Sequence, residues 1–189
     1  MVTASFFNKM FTKVGYSQAR QMVIDNYPYL VHNTSKYSLR NIKNEGLKPN
    51  PVTYTQDADY KLIKKSFGGY IPPILCLSFL NSGIQGSHLD EGIQLAVHTS
   101  DLPQDIRLGI DWSFSGTWDL VPIKIREFWH EHEKEPTLLE IYLKIFAHQK
   151  CIVSYDKISP ELLHVQLNNS PEDDPAGWPK LMTIPETYF

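Results

Sequence analysis

This sequence predicts an α+β fold, on three observations. Short apolar runs bounded by Pro, Gly, Asn or Ser recur along the chain, at 71–79, 93–98 and 151–155. Other stretches carry apolar residues three and four apart, as helices do, most clearly from Leu138 to Phe146. The two kinds do not alternate regularly, which a doubly wound parallel sheet would require.

A length of 189 residues suits one domain with a core of useful size. The expected division is a helical segment over 1–26, a body over 27–167 and an irregular tail over 168–189 that is packed on the body. Apolar residues make up 42% and charged residues 21%, and no apolar run approaches the roughly 20 residues of a membrane-spanning helix. No membrane association is expected. A net charge of -3 leaves any nucleic acid to a local basic patch. Cys76 and Cys151 lie in apolar runs, where a thiol behaves as a small hydrophobe, and two cysteines make neither a disulfide framework nor a zinc site. A reducing, cytoplasmic setting follows as the expectation.

Taking the elements in order, Phe6, Phe7, Met10, Phe11, Val14, Met22 and Val23 suit one amphipathic helix or two short ones meeting around Gly15. Tyr27-Pro28 breaks it. Tyr29 to His32 then reads as a short strand ending on the histidine. Ser35 is placed to cap a helix whose buried stripe is Leu39 and Ile42 and whose left-handed C-terminal cap is Gly46. The polar stretch 48–66 is longer than a plain connector. Strands are expected at 71–79 and 93–98, and a short edge element at 120–123, where Pro122 would remove a ladder donor. Helices follow from Ile125 to His132 and from Thr137 to Ala147, then a strand at 151–155, a turn, a single helical turn and a closing strand to Gln166.

Several chemistries lose their support at once. The chain has no Gly-x-Gly-x-x-Gly, no Walker loop, no Gly-x-Ser-x-Gly and no His-Glu-x-x-His. The run His130-Glu131-His132-Glu133 places its imidazoles two apart, which on a helix points them away from each other, so no metal is expected. His32 is the more informative histidine. With Thr34 and Ser35 beside it and helix amides following, it would offer donors and acceptors suited to a ribose or a phosphate.

His32-Asn33-Thr34, the helix through Ile42 and its end at Gly46-Leu47 resemble the opening motif of the ADP-ribosyltransferase fold, nearest to the DNA-targeting ADP-ribosyltransferase toxins and their relatives. Leu75 to Phe79, Leu95 to Leu102, Cys151-Ile152-Val153 and Lys157 to Leu163 resemble its later core elements in order. The resemblance covers about residues 29–166. It implies a split, bent β-structure with flanking helices and NAD, as substrate, in the cleft. His32 and Thr34 would contact the nicotinamide-side ribose or amide, with Asn33, Ser38, Tyr70, Ser78 and Phe79 as further NAD contacts. Tyr54, Tyr60 or Phe67 would cover the ring. ADP-ribose would pass to a nucleic-acid or protein acceptor.

The chain departs from the family at two positions. The family's glutamate falls at Lys150 or Cys151, with Gln149 beside it, so the catalytic pair carried over is His32 and Gln149. Its arginine falls near Asn81 or Ser82. Glu91, Asp111 and Glu127 are the acids that could replace the glutamate. The alternative is an inactive member that binds nucleotides or a protein partner, the latter through the N-terminal helix. Lys36, Arg40, Lys43, Lys48, Lys61, Lys64 and Lys65 are the local patch for nucleic acid.

Overall fold

The computed structural model describes residues 2–51, 64, 67, 69–79, 92–112 and 117–166. Tyr54, Tyr60, Asn81, Ser82, Glu91 and the tail lie outside these residues. Two helices open the chain, α1 (Val2–Met10) and α2 (Lys13–Asn26). Next come β1 (Tyr29–Ser35), one 3-10 turn, α3 (Leu39–Glu45), β2 (Leu75–Phe79), β3 (Gly92–His98) and β4 (Leu108–Gly109). The remaining elements are α4 (Thr117–His132), α5 (Leu138–Gln149), β5 (Cys151–Ser154) and β6 (His164–Gln166).

The strands form one sheet in the order β4-β5-β2-β1-β3-β6, with every pairing between neighbours antiparallel. Helices and an antiparallel sheet without regular alternation make this an α+β fold, as expected. The ladder between β1 and β3 runs the full length of β1, from Tyr29↔His98 to Ser35↔Gly92. Among the described residues, the ladder between β1 and β2 consists of Leu30↔Phe79 and Val31↔Ser78. The two central strands therefore part at His32.

The helices cover the face that carries Leu30, Leu77, Phe79, Leu95 and Val97. Buried Phe6, Met10, Ala19, Met22, Val23, Ile141, Ile145 and Phe146 pack there in one core with the sheet. Each large apolar side chain so buried contributes about 1.5–3 kcal/mol. The Phe79 ring stacks on Tyr27 with centroids 3.7 Å apart and meets Phe146 edge-on at 5.9 Å. Buried Tyr142 ties α5 to α1 by donating to the Met10 carbonyl at 3.3 Å.

The elements differ from expectation at several boundaries. The break between α1 and α2 falls at Phe11-Thr12, because Thr12 caps α2 by accepting from the Gly15 N–H at 3.1 Å. Gly15 lies inside α2, where a Cβ would overlap the main chain of Lys9 and Met10, so the glycine permits close approach of the two helices and does not separate them. Residues 120–123 are helical, not an edge strand. Buried Leu120, Val121 and Phe128 lie on the core side of α4, and a window of four residues is too short to distinguish a helical from a strand period. The helix α5 runs two residues past Ala147, to Gln149, and begins with a Thr137–Glu140 capping box. Gly46 does end α3 with φ 76°, its N–H bonding the Ile42 carbonyl at 2.7 Å, and Leu47 then bridges to Ile158.

Candidate functional site

The strand β1 continues through Ser35, three residues past His32, because β3 pairs with it to the end. Ser35 is thus a strand residue and not the helix cap. Its hydroxyl lies 3.3 Å from that of Ser38, which precedes α3 without a side-chain cap bond. The 3-10 turn Lys36–Ser38 separates the end of β1 from α3, so the helix begins at Leu39 and not directly after Ser35. Side chains alternate along a strand, which puts His32 and Thr34 on one face and Asn33 on the other. Asn33 accepts from the Gln94 amide at 3.2 Å on that opposite face.

His32 sits where β1 and β2 part. Its Nδ1 lies 3.0 Å from the carbonyl oxygen of Cys76 in β2. A carbonyl only accepts, so Nδ1 carries the proton and Nε2 keeps its lone pair. Burial lowers the His32 pKa, and the Cys76 carbonyl offsets part of that effect, which favours the neutral ring at neutral pH. The half-buried imidazole is therefore oriented as an acceptor or weak base at Nε2, with buried Thr34 two residues on along the same face.

No protein-family model, characterised protein or solved structure matches the chain.

On the other face of β2, Cys76 lies diagonal to Cys151 of β5, since Cys76 pairs with Val153 and Ser78 with Cys151. Both thiols converge on buried Asp111, just beyond β4. Cys76 Sγ is 3.8 Å and Cys151 Sγ 3.9 Å from Asp111 Oδ2. Burial pushes each thiol up to about 12, and the Asp111 carboxylate adds to the shift by disfavouring a second negative charge. Composition treats these cysteines as small hydrophobes; the fold makes them donors to a carboxylate.

Gln149 is fully buried at the end of α5, and its amide is committed to Asp111. Nε2 donates to the Asp111 carbonyl at 2.9 Å and Oε1 accepts from the Asp111 N–H at 3.3 Å. The residue expected opposite His32 thus holds the main chain of an acid. Phe79 is a core residue between Tyr27 and Phe146, and Phe67 packs with Phe11, Trp112 and Tyr155, so neither ring is placed to cover a ligand. Tyr70 is exposed and Ser78 half-buried on the Cys76 face. In the histidine-rich run, Glu131 pairs with Lys144 at 2.8 Å and the His132 ring makes a tilted contact with Phe128 at 4.2 Å. Among the described residues, no group of three His, Cys, Asp or Glu side chains could hold a metal, and no helix is long and apolar enough to cross a membrane.

Proposed function

We propose that the chain is an NAD-binding, ADP-ribosyltransferase-like domain that transfers ADP-ribose to a nucleic-acid or protein acceptor. The observation that carries this reading is the His32 imidazole, held by the Cys76 carbonyl at the parting of the two central strands with Nε2 left as an acceptor. A ribose hydroxyl is the donor such an atom suits, and Thr34 on the same face adds a hydroxyl. The parting of β1 from β2 supports a split sheet, and the elements expected from the resemblance follow one another in order from β1 to β6.

Glycosidic cleavage of NAD builds positive charge on the ribose as nicotinamide leaves, and a carboxylate nearby stabilises that charge. Among the candidate acids, the Asp111 carboxylate lies beside Cys76 and Cys151 on the opposite face of the sheet from His32, and Glu127 is paired with Lys124 at 2.7 Å on α4, which leaves Glu91 as the candidate for this role. Gln149 holds the Asp111 main chain and does not face His32.

NAD at a hundredfold excess over its dissociation constant should stabilise the fold by about 2.7 kcal/mol, read as a rise in melting temperature. His32→Ala should abolish the rise. Labelled NAD offered with DNA, RNA and protein should mark one acceptor, with loss in His32→Ala. Protection by NAD without labelling of any acceptor would leave a binding module. No protection at millimolar NAD would overturn the reading. The interaction-module alternative has lost one of its supports, because Phe6 and Met10 of the N-terminal helix are buried in the chain's own core.

A further inference from the structure

A cavity of about 510 Å³ lies on the far side of β5 and β4 from His32, between the start of α2 and the segment leading into β4. Lys13, Tyr16 and Ser17 form one wall, and Asp105, Ile106 and Arg107 the other. A second hollow of about 450 Å³ shares Asp105, Ile106 and Arg107 with the first. The volume of the first lies within the range of small-ligand sites, which is roughly 300–1,000 Å³.

The charges around it sort into spent and available. Arg107 gives Nε to both Asp156 oxygens and Nη2 to Asp156 and the Tyr155 carbonyl, so Asp156 is neutralised and Arg107 is fixed in place. Its Nη1 has no partner among the described residues. Lys13, in the first turn of α2, has no ion pair among them either. Asp105 is exposed and can accept hydrogen bonds from hydroxyls. Tyr16 is held in place by its tilted contact with Tyr155 at 5.4 Å and stands across the cavity from Ile106.

We propose that this cavity binds a planar aromatic ring carrying a single anionic group, of the size of a nucleoside monophosphate. The ring lies between Tyr16 and Ile106, the anion meets Lys13 and Arg107 Nη1, and sugar hydroxyls meet Asp105. Stacking on an aromatic face tolerates any base, so the charged end supplies the orientation. The site is separate from His32 and does not depend on the NAD reading.

Titration with AMP, followed by tyrosine fluorescence and calorimetry, tests it. Adenosine lacks the anion and ribose 5-phosphate lacks the ring, and each should bind more weakly than AMP. Lys13→Glu should weaken AMP about tenfold or more, as a cation contact becomes a repulsion. Ser17→Trp, at an exposed helix position, should fill the cavity and abolish binding while circular dichroism stays unchanged. His32→Ala should leave AMP affinity as it was. The proposal is overturned if the wild-type protein does not bind AMP, if both cavity variants bind it normally, or if His32→Ala removes binding.

Discussion

The Gln149 side-chain amide and the Asp111 main chain form a closed pair of hydrogen bonds, Nε2 to carbonyl at 2.9 Å and N–H to Oε1 at 3.3 Å. The pair fixes the residue that carries the carboxylate beneath Cys76 and Cys151. Gln149→Leu strips Asp111 of both bonds at a buried position and should cost about 2–4 kcal/mol in urea unfolding, as each abandoned buried group costs about 1–3 kcal/mol. Gln149→Glu should cost more than Gln149→Leu, because it buries a carboxylate facing a carbonyl. A loss below about 1 kcal/mol in both variants would contradict this role.

His32 should make stability depend on pH in a defined direction. Burial lowers its pKa in the fold, so the unfolded chain takes up the proton first as pH falls through about 6.5. Its contribution is complete above that value and is lost as pH falls toward the folded-state pKa. The melting temperature of the wild-type protein should drop more steeply on acidification from about pH 7 to about pH 5 than that of His32→Gln, which cannot titrate there. Parallel curves would show that His32 is not buried as described.

Both thiols should be slow to alkylate in the native protein. Raised to about 12 by burial and by Asp111, they hold about a thousandfold less thiolate at neutral pH than free cysteine. Timed iodoacetamide labelling read by mass spectrometry should show slow modification of both, slowest at buried Cys151, since the Cys76 residue reaches solvent while its thiol donates to Asp111. Asp111→Asn removes the repelling charge and should speed labelling several-fold. Unchanged rates would place the carboxylate elsewhere.

Gly46→Ala should destabilise the fold by about 2–4 kcal/mol. Its φ of 76° strains an L side chain, and a Cβ would overlap the Ile158 carbonyl oxygen that accepts from the Leu47 N–H at 2.9 Å. Thermal unfolding measures the loss, and a change within about 0.5 kcal/mol would mean that the bridge between Leu47 and Ile158 is dispensable.

Local chemistry was legible in the sequence. The strands read at 71–79 and 151–155, the helix end at Gly46 and the helix read over 137–147 follow from turn residues and apolar period, which act over a few positions, and the structure moves their bounds to 75–79, 151–154 and 138–149. Short ambiguous windows were not legible. Leu120 to Ile123 reads equally as a strand, and Ser35 as a cap, until their neighbours in space are known.

The sequence by itself determined an α+β chain whose first strand carries His32, with Thr34 two positions on. The tertiary structure decided what those residues meet. It extended β1 through Ser35 against β3, joined His32 to the Cys76 carbonyl 44 positions away, and brought Gln149 to Asp111 across 38. Such pairings depend on how distant strands lie side by side, and no periodicity or spacing along the chain encodes which partners the sheet will bring together.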